Sequence, residues 1–133
     1  MTYRELRQLH YLNLEIKQDQ ERLMQLRSEM SGISGMNLSG IPHGTVTSSQ
    51  PERLAIEIAE IETTIKDKLL MCYHQRSRIE RYIAQIQDSL TRQIFTLRFV
   101  KDFSWSKVAF IIGGGNSADS VRMHCQRYIN SQK

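Results

Sequence analysis

The chain has 133 residues, 40% of them hydrophobic and 24% charged, which suffices for one small domain with a helical arm but not for a large enzyme cleft. No stretch approaches the roughly 18 apolar residues of a membrane span, and the N-terminus lacks the apolar segment of a signal peptide, so we expect a cytoplasmic protein. The net charge is +4, and the two cysteines, Cys72 and Cys125, are too far apart to indicate a metal-ligand motif and are expected to be reduced thiols.

The positive charge is concentrated in the last third of the chain. Residues 1–88 carry 11 basic and 12 acidic side chains, whereas residues 89–133 carry 7 basic and 2 acidic ones. A net charge of +5 over 45 residues indicates an anionic partner, most often nucleic acid. Charge alone is explained equally well by a basic surface that has no partner.

The first predicted element is a long helix from Thr2 to Met30, a segment without Pro or Gly. Its apolar residues follow the alternating three- and four-residue spacing of a coiled coil, interrupted only by Asp19. The seam consists of Leu9, Leu12, Ile16, Leu23, Leu26 and Met30.

Composition then changes over residues 31–50, which are rich in Gly and Ser and are predicted to form a flexible loop. A second long helix is predicted to start near Ser49, with Pro51 in its first turn and Glu52 placed for a capping box. It runs to about Gln87 with a second seam, in which Lys68 and Gln75 are misfits. The apolar seam residues are Ile58, Ile61, Ile65, Cys72, Ile79, Tyr82 and Ile86.

Two such helices favour an antiparallel hairpin over residues 1–87, although the seam alone leaves pairing between chains open. Helical pairing of this kind also predicts a homo-oligomer, because long seams can leave apolar surface uncovered.

The last third, residues 88–133, predicts three short helices. Asp88 or Ser89 can cap a helix over 90–100, Ser104 a helix over 105–112, and Ser117 a helix over 118–130. The segment 113–116 contains three successive glycines and must be a turn. The predicted fold is therefore all-α, with a long helical hairpin followed by a three-helix helix-turn-helix module.

The spacing of the last helix separates an inner face from an outer face. Val121, Cys125 and Tyr128 are predicted to point inward, with Val121 meeting Ala109 and Ile112. The opposite face is polar and cationic, as a helix in a DNA major groove must be. Its predicted DNA-binding residues are Ser117, Ser120, Arg122, Met123, Gln126 and Arg127.

Base reading is predicted to be the role of Arg122, whereas other cations would hold phosphates. The predicted phosphate contacts are Arg92, Arg98, Lys101, Lys107 and Arg127. Trp105 is interpreted as a packing anchor rather than a base-stacking platform. The histidines and cysteines are too few and too scattered for a metal site, so we expect no catalytic residues, no metal and no cofactor.

The module resembles region 4 of sigma-70-type factors and the related C-terminal domains of small bacteriophage transcriptional regulators. The residues that carry the resemblance are Arg98, Trp105, Val108, Ala109, Gly113, Ser117, Val121, Arg122 and Arg127. The regulators are similar in overall layout too, with an N-terminal helical segment and a Gly/Ser/Pro linker like residues 41–45.

This resemblance implies a sequence-specific DNA-binding regulator in a bacterial or phage-infected cell, with double-stranded DNA and RNA polymerase as partners. A DNA-packaging subunit similar to small terminase subunits, and a coiled-coil adaptor protein, are the alternatives. An enzyme is the least favoured class.

Overall fold

The computed structural model describes residues 1–35 and 49–133, and these residues are helical, with turns and short connections between the helices and no strand. The all-α prediction is confirmed. In chain order the helices are α1 (Tyr3–Leu6), α2 (Gln8–Gly35), α3 (Ser49–Ala84), α4 (Ser89–Phe95) with a π-helical continuation (Thr96–Val100), α5 (Trp105–Ile112) and α6 (Ala118–Ser131).

Two helix boundaries differ from the sequence prediction. The first helix is divided at Arg7, where α1 ends after one capped turn and α2 begins. Residues 31–35 belong to α2 and residues 49–50 to α3 rather than to the predicted loop, and residues 36–48 of that loop lie outside the described residues. Among the helices over 1–35 and 49–133, none combines the length and hydropathy that crossing a bilayer demands.

The chain divides into two compact units whose boundaries differ from the predicted border at residue 88. Unit 1 contains residues 1–13 and 71–133, and unit 2 contains residues 14–70. The N-terminal 13 residues therefore belong with the C-terminal module. Sequence periodicity groups them with the hairpin, because it records which residues share a helix and not which helices pack together.

Unit 2 is a pair of antiparallel helical segments held by ion pairs. Lys68 Nζ lies 2.6 Å from Asp19, and Arg27 lies 2.8 Å from Glu62. The predicted seam residues Leu23, Leu26 and Ile65 are buried between the two segments of the hairpin.

The two seam misfits in unit 2 are partners of each other. Asp19 interrupts the seam of α2, and Lys68 interrupts that of α3. The hydrogen bond from Lys68 to Asp19 raises the pKa of the lysine and keeps it charged. A single polar pair in an apolar seam fixes register, because any slip would leave both groups unpaired.

The third misfit, Gln75, also makes a polar contact that fixes how helices pair, in this case within unit 1. Its amide nitrogen donates to the Glu5 carbonyl at 2.9 Å, where α1 ends. The Glu5 side chain accepts from the Thr2 backbone in a capping box, which lowers the pKa of Glu5, and Arg78 lies 3.1 Å away. The first turn of the chain is thereby attached to α3.

The core of unit 1 is built around the fully buried Phe95. Its ring contacts Phe99 at 5.2 Å, Tyr128 at 5.5 Å and Tyr82 at 6.3 Å between centroids. Tyr3 extends the cluster by an edge contact to Phe99 at 5.8 Å. Aromatic pairs in this offset and edge geometry stabilise a core beyond the area they bury, and here they join α1, α3, α4 and α6.

Candidate nucleic-acid interface

The position of α6 follows from its cap and its apolar stripe. Ser117 accepts from the Ser120 backbone at 3.1 Å, and the Ser120 hydroxyl accepts from the Ser117 backbone at 2.9 Å. Val121, Cys125 and Ile129 are buried, and burial raises the pKa of the Cys125 thiol to about 12. The inward prediction for Val121 and Cys125 is confirmed, whereas the tyrosine at 128 is only half-buried.

The turn between α5 and α6 has the predicted glycine geometry. Gly113, Gly114 and Gly115 all have positive φ, between 65° and 77°. Gly113 ends α5 by donating to the Ala109 carbonyl, and the Asn116 amide donates back to the Gly113 carbonyl at 2.8 Å. Side chains are strained at such φ values, so this sequence of glycines is what lets α6 follow α5 so closely.

The outer face of α6 is polar and exposed. Residues spaced i, i+4, i+7 and i+11 share one side of a helix, and here they are Asp119, Met123, Gln126 and Asn130. Arg122 and Arg127 are exposed on the two edges of this face. Four predicted site residues, at 122, 123, 126 and 127, therefore lie together on one surface. We call it the α6 face.

Ser117 caps α6 as predicted, and Ser120 takes part in the same cap, although both were also predicted to contact DNA. Both hydroxyls take part in the capping box, and the Ser120 hydroxyl also lies within hydrogen-bond distance of Asn116. The two serines set where α6 begins and therefore which way the α6 face points. Their hydroxyls are used in the cap and are not free hydrogen-bond donors on that face.

Two side chains of the α6 face are already paired with neighbours. Arg122 lies 3.6 Å from Asp119, and the Gln126 amide donates to Asn130 at 3.4 Å. Both contacts are exposed and weak, so each side chain can exchange its partner for another hydrogen-bonding group.

Lys101 and Lys107 lie outside α6 and are exposed, as phosphate contacts must be. Lys107 Nζ sits 3.9 Å from the centroid of the Phe103 ring, which holds the side chain at the surface near the start of α5. The cation–π contact leaves the ammonium hydrogens able to donate.

The prediction that Arg98 binds phosphate is not supported by its surroundings. Its guanidinium donates to the Phe103 carbonyl at 2.9 Å and lies 3.4 Å from the Tyr3 hydroxyl. It also stacks on Trp105, 4.5 Å from the ring centroid, and its Nε is buried. Arg98 therefore joins the π-helical segment to α1 and α5, and Trp105 is its packing partner.

Arg92 is likewise turned inward. Its guanidinium donates to the Ile86 carbonyl at 2.6 Å and to the Gln87 carbonyl at 3.0 Å. These carbonyls lie in the connection between α3 and α4. We reassign Arg92 from phosphate contact to closure of the α3–α4 connection.

Sequence reasoning missed one polar cluster that positions the module and one acidic residue on the α6 face. Asp102 has a positive φ of 59° and accepts from Arg7 at 3.3 Å, with His10 Nδ1 at 2.8 Å. The acidic Asp119 on the α6 face was also missed. Its i,i+3 spacing from Arg122 is visible in the sequence, whereas the approach of residues 7 and 10 to residue 102 is not.

A second exposed surface lies on α5. Phe110 is 86% exposed and Ile111 is 47% exposed, although α5 buries Val108 and Ala109 on its other side. Large exposed aromatic side chains are characteristic of protein contacts.

No protein-family model, curated protein or solved structure matches this chain. The residues and geometry of the chain itself therefore carry the functional inference.

Proposed function

We propose that this protein binds specific duplex DNA sites and acts as a transcriptional regulator of the kind bacteriophages encode, in the cytoplasm of a bacterial or infected cell. The observation that carries the proposal is the division of α6, which buries Val121, Cys125 and Ile129 and leaves a polar face of hydrogen-bonding side chains exposed.

The chemistry of the α6 face matches that of base edges. An arginine can donate two hydrogen bonds to guanine, a glutamine can pair with adenine, and an apolar side chain can contact the thymine methyl group. Arg122, Gln126 and Met123 supply these three groups on one face. Phosphate contacts are assigned to Lys101, Lys107 and Arg127.

The test is selection of bound duplexes from a random pool by the full chain, followed by titration at several salt concentrations. With three phosphate-binding cations, log K against log salt should have a slope of about −3. An enriched sequence with that slope supports the proposal. Absence of duplex binding at about 50 mM salt, where electrostatic binding is strong, would overturn it.

A packaging role similar to that of small terminase subunits is the second candidate, because such a role requires self-association. Unit 2 leaves Met24, Ile56, Leu69 and Leu70 exposed, and we propose that these side chains mediate a homo-oligomer. Sites mapped by crosslinking in infected cells would separate the two functions, since promoters favour regulation and a single packaging locus favours packaging.

The exposed Phe110 and Ile111 give α5 a surface for a protein partner, and RNA polymerase is the partner that a regulator would need. Binding of polymerase by the full chain, abolished by Phe110→Ser, is the expected result. A chain that binds polymerase but no DNA would instead favour the adaptor function.

A further inference from the structure

The α6 face carries one acidic side chain at its centre, within an otherwise basic module. Residues 89–133 contain two acidic residues, and the other one, Asp102, forms an ion pair with Arg7 and lies 2.8 Å from His10 Nδ1. Asp119 is instead paired with Arg122 of its own helix, and its side chain is 84% exposed. A carboxylate placed where DNA would bind lowers affinity for phosphate, so its presence there requires a reason.

The geometry relates Asp119 to Arg122. The two are three residues apart on α6, which makes them neighbours on the helix surface. Arg122 starts from the edge of the α6 face, and its Nη2 lies 3.6 Å from Asp119 Oδ1. The carboxylate therefore draws the guanidinium from the edge towards the centre of the face.

A purely structural role for Asp119 accounts for only part of this arrangement. An acidic residue in the first turn of a helix interacts favourably with the helix dipole. That role needs neither Arg122 nor the central position on the exposed face. The pair itself is exposed and adds little to folding stability.

We propose that Asp119 is a positioning residue for DNA recognition, which directs Arg122 towards a guanine and weakens binding to duplexes without guanine at that position. This inference rests on the proposed DNA-binding function. Arg122 would donate one hydrogen bond to guanine O6 and one to guanine N7. These two N–H groups of the guanidinium would then no longer face solvent. On other sequences Arg122 finds no guanine and stays with Asp119, and the carboxylate at the centre of the α6 face lowers affinity for the duplex.

The central experiment compares affinity for the selected site with affinity for random duplex, using the full chain. Asp119→Asn keeps the size of the side chain but removes its charge. We expect the ratio of the two affinities to fall about tenfold, within the range of one base contact. Affinity for random duplex should rise. Asp119→Glu keeps the carboxylate within reach of Arg122 and should retain most of the ratio.

Two controls separate positioning from charge and from folding. Glu80→Gln removes one negative charge from an exposed position on α3 in the same unit and should leave the ratio unchanged. Asp119→Asn in an Arg122→Ala background should lower the ratio no further than Arg122→Ala alone, because the aspartate acts through the arginine. Circular dichroism confirms folding of each variant.

The outcomes are distinct. If the unaltered chain binds no duplex, the proposed function fails and this inference fails with it. If the chain is selective and Asp119→Asn keeps the full ratio, DNA binding stands and the role of Asp119 is wrong. An additional loss of selectivity in the Arg122→Ala background would also overturn positioning, because Asp119 would then contact a base by itself.

Discussion

The basic segment 89–133 contains arginines in two different environments. Those near α4 point into unit 1, whereas those on α6 are exposed. Arg92 and Arg98 donate to backbone carbonyls inside unit 1, whereas Arg122 and Arg127 stand on the exposed edges of the α6 face. A sequence gives all four the same charge. Cations that donate to backbone carbonyls inside unit 1 are not free to bind an anionic partner, so the net charge of +5 overstates the positive charge available on the surface of this segment.

The largest expected effect comes from the buried side of α6. Val121→Asp places a carboxylate at a fully buried site and should cost about 4 kcal/mol or more, enough to unfold unit 1. Urea denaturation followed by circular dichroism measures the loss. Met123→Asp, two residues away on the exposed side, is the matched control and should change stability by less than about 1 kcal/mol.

The substitution Arg98→Met tests whether the arginines near α4 serve folding rather than DNA binding. The change removes the hydrogen bond to Phe103 and the stacking on Trp105, and should reduce the free energy of unfolding by about 2 kcal/mol. The slope of DNA affinity against salt should stay as it was. A reduced slope without loss of stability would return Arg98 to the phosphate contacts.

Arg127→Met should give the opposite result. The exposed side chain contributes little to folding, so stability should change by less than about 0.5 kcal/mol. The salt slope should become shallower by about 0.9, the value for one phosphate contact, and affinity should fall equally for selected and random duplexes. Unequal effects on the two duplexes would assign Arg127 to base reading.

The reactivity of Cys125 towards alkylation tests whether the inner side of α6 is buried. Burial raises the pKa of Cys125 to about 12, so thiolate is scarce at pH 8 and alkylation of the folded chain should be very slow. Unfolding in urea should restore an ordinary rate. Mass spectrometry of iodoacetamide-treated protein locates the label, and rapid labelling of Cys125 in the folded chain would contradict its burial.

The smallest effect expected is at the start of α4, where Asp88 accepts from Thr91. These hydrogen bonds lower the pKa of Asp88, so its contribution to stability is present above the ordinary aspartate value of 3.8 and is lost as pH falls through the lowered value. Asp88→Ala should lower Tm at pH 7 and flatten the acid dependence of Tm. Asp67→Ala, an exposed control on α3, should change neither.

Local features of this fold were predictable from the sequence. Ser104 and Ser117 accept backbone hydrogen bonds as caps, and the glycines at 113–115 form the turn, because caps and turns depend on adjacent residues. Asp19 and Lys68 were recognised as seam misfits. Their pairing depends on the register between α2 and α3, and this register cannot be determined from the sequence.

Long-range features were not predictable. Nothing local shows that Tyr3 reaches Phe99 or that Arg7 reaches Asp102, so the sequence could not show that residues 1–13 and 71–87 form one compact unit with residues 88–133. The intramolecular hydrogen bonds of Arg92 and Arg98 could not be predicted for the same reason, since their acceptors are set by tertiary structure. On α6, where the helical period fixes the directions of side chains, the exposed residues were identified correctly except for Asp119.

The pairing of residues 1–13 with residues 71–133 has a consequence for biosynthesis. Arg7 can pair with Asp102 only after a further 95 residues have been synthesised. At ribosomal speeds of 5–20 residues per second, that synthesis takes roughly 5 to 20 s. The helices of residues 14–70 can pair in the interval, and their pairing closes most of the long loop before the last helices emerge. Translation order thus leaves the C-terminal helices, which carry the proposed DNA-binding face, as the last part of the chain to fold.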